Sequence, residues 1–100
     1  MSGGYEHRVT EDGRLIMLRE LAAQVDGRSN ELLLMRVLDA FGVRRSREWV
    51  RTQLRRLAEL DAVRIDELGT VMVATLRKAG RDHVERRIVI DGVSRPSDED

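Results

Sequence analysis

The chain has 100 residues, with 18 basic and 18 acidic side chains, zero formal net charge and no cysteine. That length makes one domain with one modest core, burying roughly 65% of the unfolded surface. Disulfides, thiolate metal sites and thiol redox chemistry are excluded.

No apolar run approaches the length of a membrane span and no signal peptide is visible, so the sequence reads as cytoplasmic. Tyr5, Phe41 and Trp49 are the only aromatics, so the core must be aliphatic. Arginine supplies 17 of the 18 basic residues. Between Arg44 and Arg56 stand six Arg and one Glu, a local balance of +5, and the rest of the chain sums to −5. A neutral chain with such a stretch can still attract a polyanion, because the local field matters more than the total. Arginine forks onto phosphate and guanine, and it serves protein interfaces as well.

Residues 1–9 carry two adjacent glycines and no periodicity, and read as a flexible arm. Thr10 can cap a first helix, with Glu11 and Asp12 at its positive end. Leu15, Leu18, Leu21, Ala22 and Val25 repeat at helical spacing, and Gly27 is a stop. Leu15, Ile16 and Leu18 make this helix wide on its apolar side, leaving surface for a partner helix. Ser29 or Asn30 caps a second helix, with Glu31 in its first turn. From Leu32 to Phe41 that helix is apolar over much of its circumference, which predicts a central, buried element ending at Gly42.

Ser46 caps a third helix running to residue 60. Val50, Leu54 and Leu57 share its inner face. Glu48, Arg51, Thr52, Arg55 and Glu59 point away, and Arg47 and Arg56 lie on the flanks. Trp49 sits at the edge of the apolar face, where it seals the helix against the connection or the hairpin. Val63 and Ile65, then Val71 and Val73, alternate around Gly69 as a hairpin. Leu76 to Arg86 predicts a short fourth helix that Gly80 weakens. Ile88-Val89-Ile90 is a β-prone island that either adds to the hairpin sheet or pairs with another subunit. Residues 91–100 read as a disordered acidic tail, which leaves 10–90 as the folded domain.

This order, three helices with a basic third one, then a hairpin and a short helix, predicts an α+β domain of the winged helix-turn-helix type. In detail it resembles ArsR-like regulators. The resemblance rests on Val50-Arg51-Thr52-Gln53-Leu54 with Leu57, Leu60 and Val63, and on Ala74-Thr75-Leu76-Arg77-Lys78-Ala79-Gly80-Arg81. It covers roughly Leu15 to Glu85. Met17–Ala22, Ser29–Leu34 and Gly92–Pro96 also resemble a family of small proteins of Mu-like phages and prophages. The resemblance implies a phage, prophage or bacterial transcriptional regulator that binds double-stranded DNA as a homodimer. Helix 46–60 would lie in the major groove of each half-site.

The DNA-contact candidates are Arg44, Arg45, Arg47, Arg51, Thr52, Gln53, Arg55 and Arg56. Arg51, Thr52 and Arg55 would face base edges, while Arg44, Arg45 and Arg56 would sit nearer phosphates. The bland reading is a solvated face, with Arg and Glu pairing along the helix. Residues Asp66 to Thr70, at the hairpin tip, are acidic where a DNA-contacting wing usually offers Arg or Lys. That favours a second reading, a protein-interaction module of the same fold serving phage assembly or host takeover. A co-regulator docking on polymerase is a third. His7 and His83 read as surface residues, with no metal-ligand spacing around them. No catalytic motif, cofactor loop or effector site is visible, so no enzyme activity and no cofactor are expected.

Overall fold

The computed structural model describes residues 2–97. Met1 of the expected arm and residues 98–100 of the expected acidic tail lie outside the described residues. The elements in order are α1 (Ser2–Ala23), β1 (Arg28–Asn30), α2 (Glu31–Ala40), α3 (Arg47–Glu59), β2 (Val63–Leu68), β3 (Val71–Leu76) and α4 (Lys78–Val84). Among the described residues they make an α+β domain of four helices and one three-stranded antiparallel sheet, ordered β1-β3-β2. Among the described residues no helix is long and apolar enough to cross a membrane.

Capping fixes where the two central helices begin. Asn30 accepts a hydrogen bond from the Leu33 N–H (2.9 Å) at the start of α2. Ser46 accepts one from the Trp49 N–H (3.0 Å) at the start of α3. Each cap satisfies a backbone donor that the first helical turn leaves without a partner. Thr10, by contrast, is no cap. The first helix already begins at Ser2, so the arm expected at residues 1–9 is helical from there, and the Thr10 hydroxyl donates to the Glu6 carbonyl inside it. A hydroxyl that reaches back one turn fits mid-helix as well as at an end.

The hairpin turns at Gly69-Thr70, with Leu68 paired to Val71. Gly69 has φ +63°, the left-handed conformation that a two-residue turn with Gly in first position uses. The third strand was not expected. β1 pairs with β3 from Arg28–Thr75 to Asn30–Val73, and the Leu76 N–H donates to the Gly27 carbonyl (2.7 Å). Three polar residues have no period-2 signal of their own. Their strand forms because the outer edge of β3 offers backbone partners.

The core lies between one side of α2, α1, α3 and the sheet. Leu18, Leu21, Leu34, Leu54, Leu57 and Met72 are fully buried there. On the apolar side of α1, Leu15 and Leu18 are buried in this core and Ile16 is partly buried against it. Val25 lies beyond the end of α1 and is fully exposed. The second helix is not enclosed either. It buries only Glu31, Leu34 and Leu38, while Leu32, Leu33 and Phe41 stand at the surface. One side of α2 has a partner, and apolar composition does not supply a second one.

Trp49 packs on α1 and also lies under Arg45 of the connection. A Cβ placed on Gly13 would come within 3.0 Å of its ring. At α4, a Cβ on Gly80 would lie 2.4 Å from the Ala62 carbonyl, so the helix tolerates its glycine because Ala62 approaches there.

Beyond α4 the predicted β-prone island forms no strand: Ile88 and Val89 are exposed and Ile90 turns inward. His83 organises this segment and is fully buried rather than on the surface. Its Nδ1 accepts from the Ile90 N–H (3.0 Å) and its Nε2 donates to the Ser94 carbonyl (2.8 Å). Val93 follows Ile90 into the core, and the Ser94 N–H donates to the Glu11 carbonyl (3.1 Å). The packed body therefore runs past residue 90 to Ser94, because two apolar residues and a histidine clip offset the chain entropy of ordering it.

Candidate nucleic-acid interface

The cationic stretch occupies α3 and the connection before it. The inner face of the helix, Val50, Leu54 and Leu57, is buried as its spacing predicts. Gln53 belongs to that buried side. Its Oε1 accepts from Arg14 Nε (2.9 Å), tying α3 to α1, so it is not presented to a ligand. Gln53 is not the DNA contact expected of it, because it stands three residues after Val50 and four before Leu57 and so shares their inward side.

A buried carboxylate reorganises the face toward the hairpin. Glu31, at the start of α2, is 0% exposed. Arg51 forks onto it, Nε to Oε1 at 2.7 Å and Nη2 to Oε2 at 2.8 Å. Arg47 Nη2 donates to the same Oε2 at 3.0 Å, and the Met72 amide of β3 donates to it at 2.7 Å. Both arginines also donate from Nη2 to the Thr70 carbonyl in the hairpin turn, at 2.6 Å from Arg47 and 2.8 Å from Arg51. Glu31 thus joins α2, α3 and the hairpin in one charge-assisted cluster.

The Arg51 hydrogen bonds hold the Glu31 carboxyl far below the usual carboxylate range. Burial opposes them, and Arg47 and the Met72 amide add to them. Reciprocally, the hydrogen bonds to Glu31 push both guanidinium groups up. The side chains of Arg51 and Arg47 are 19% and 39% exposed, so neither projects freely from α3 as its helical position predicts.

Most of the remaining candidates are paired at the surface. Arg44 Nε lies 2.8 Å from Asp39 Oδ1. Arg45 Nη2 lies 3.0 Å from Glu6 Oε1, with its guanidinium 5.8 Å from the Trp49 ring centre. Arg56 Nη1 lies 3.1 Å from Glu59 Oε1. Thr52 is exposed, and its hydroxyl donates to the Glu48 carbonyl (3.0 Å). Arg55 is exposed and makes no hydrogen bond or ion pair with the described residues. Five of the six arginines therefore meet a carboxylate, and Glu6, Glu31, Asp39 and Glu59 cut the local balance from +5 to +1. The hairpin adds none of the positive charge that a wing on DNA usually carries: Arg64 pairs with Asp66 of its own strand, and Glu67 and Leu68 are exposed near the tip.

Glu31 is the residue that sequence reasoning missed. An acid after an N-cap reads as a partner of the helix dipole in water, and no local signal distinguishes it from a buried hub.

Over 88 residues the chain is 41% identical to "Uncharacterized protein gp26" of Escherichia phage Mu, covering 88% of this chain and 91% of that protein. The chain belongs to the family of Mu gp26. No protein-family model matches it, so the ArsR-like resemblance has no family match behind it. No solved structure matches it either.

Proposed function

We propose that the chain is a winged-helix domain that applies α3 to double-stranded DNA, as a homodimeric regulator of phage or prophage genes. The carrying observation is the placement of α3. It follows α2, precedes the hairpin, and exposes Thr52, Arg55 and Arg56 on the side away from the core, with Arg44 and Arg45 before it. The element order helix, strand, helix, helix, two strands supports the winged-helix reading, because the short strand before α2 braces the hairpin beside α3. The ion pairs of Arg44 and Arg56 are exposed and weak, so a phosphate can compete for those guanidinium groups. Arg47, Arg51 and Gln53 drop out of the contact set.

A second reading, a protein-interaction module without DNA binding, is favoured by the carboxylates that meet five of the six arginines and by the acidic hairpin tip. Duplex binding measured by fluorescence anisotropy against salt separates the two. Contacts from Arg44, Arg45 and Arg56 to three phosphates predict that log K falls by about 2.7 per decade of salt for each protomer bound. A chain that binds no duplex at low salt refutes the DNA reading and leaves the interaction module.

A further inference from the structure

An arginine reads guanine by presenting two N–H groups along one edge of its guanidinium, Nε with Nη2 or Nη1 with Nη2. Both edges contain Nη2. In Arg51, Nη2 gives its two protons to Glu31 Oε2 and the Thr70 carbonyl, and Nε gives its own to Glu31 Oε1. In Arg47, Nη2 is likewise engaged by Glu31 Oε2 and the Thr70 carbonyl, with Nε 3.0 Å from Glu31 Oε1. Neither side chain retains an open forked edge. To free one, Glu31 would have to stay buried without its strongest donors, which is the most unfavourable arrangement for a buried carboxylate.

Arg55 follows Arg51 by one turn on the outward side of α3. It is exposed and uncommitted among the described residues, so all five of its donors are available. Thr52 lies one turn before it, also exposed, and can offer its methyl group beside the same base pair.

We infer that Arg55 is the base-reading residue of α3, and that Arg47 and Arg51 are positioning residues that fix the hairpin turn against the helix through Glu31. The inference rests on the DNA reading above. It divides the arginines of one helix by the donors each has left. Arg55 gives sequence preference, Arg44, Arg45 and Arg56 give phosphate affinity, and Arg47 and Arg51 set the distance between helix and hairpin.

The test uses the full chain and a duplex library with a randomised core, selected at low salt. Wild type, Arg55→Ala and Arg51→Lys are compared. The arginine Nε–H resonances of the wild type are followed as the selected duplex is added. The expected result is that the Arg55 resonance moves while those of Arg47 and Arg51 stay in place. Arg55→Ala then loses about tenfold to a hundredfold preference at one base position. Arg51→Lys keeps the charge but cannot fork, so it keeps the base preference, lowers affinity by a common factor across sequences, and lets the Met72 amide exchange faster.

Two results overturn the inference. If the Arg47 or Arg51 resonances move with DNA, or Arg51→Lys changes the preferred bases while Arg55→Ala lowers affinity uniformly, the assignment is wrong and the DNA reading survives. If the wild type selects and binds no duplex, the DNA reading itself fails and takes the assignment with it.

Discussion

Replacing Glu31 with Gln probes the cluster that joins α2, α3 and the hairpin. The substitution keeps the shape of the side chain and an oxygen for the Met72 amide, but removes the charge that Arg47 and Arg51 converge on. Removing one partner of a buried ion pair destabilises by about 3–5 kcal/mol. Here the arginines are 19% and 39% exposed, so water takes up part of the orphaned positive charge and the lower end, about 3 kcal/mol, applies. With an m-value of about 1.5 kcal/mol/M, the urea midpoint should fall by roughly 2 M at neutral pH.

The acid limb carries a second signature. The Glu31 carboxyl ionises far below an ordinary glutamate in the folded state. Between the two values the unfolded chain binds the extra proton, so stability rises with pH there. The contribution is complete above about pH 5 and is lost progressively as pH falls. Glu31→Gln should therefore flatten the acid limb of the stability curve as well as lower its plateau. Glu59→Gln is the control. Its pair with Arg56 is half exposed on one side and 67% exposed on the other, and its removal should change stability by less than about 0.5 kcal/mol. A Glu31→Gln midpoint within about 0.5 M of wild type, with an unchanged acid limb, would refute the account of Glu31 as the electrostatic hub.

Four further substitutions test the frame that presents α3. Gly80→Ala should destabilise by about 1–3 kcal/mol despite the better helix propensity of alanine, because its Cβ meets the Ala62 carbonyl; a raised melting temperature would contradict that contact. His83→Leu leaves the Ile90 N–H and the Ser94 carbonyl without partners. It should cost about 1–3 kcal/mol and speed exchange of the Ile90 amide by hydrogen-exchange mass spectrometry or NMR. Asn30→Ala and Ser46→Ala each remove one cap bond and should each cost about 1 kcal/mol by chemical denaturation. Their double mutant should be near the sum, since the caps serve different helices and share no hydrogen-bond partner.

Much of the frame is legible locally. Asn30 and Ser46 mark the helix starts because a short polar side chain can satisfy a backbone donor wherever it falls. Val50, Leu54 and Leu57 mark an inner face because a helix repeats every 3.6 residues. Gly69 marks the hairpin turn because its backbone enters the left-handed region there without strain. All of these depend on neighbours within a few positions in the chain. β1 and the His83 clip are different. A strand of three polar residues exists only because β3 lies beside it, and His83 is buried only because the segment from Ile90 to Ser94 folds back over it.

The electrostatic character of α3 divides in the same way. Its six arginines and their helical phase are properties of the sequence, and so is the expectation of a cationic face. Arg56 pairs within α3, with Glu59, but the pairing of the others was decided by carboxylates outside the helix. Glu31 meets Arg47 and Arg51 across 16 and 20 residues of chain, and Glu6 meets Arg45 across 39. Periodicity places a charge on a side of a helix. Only packing brings an opposite charge to it and removes the water that would screen the two.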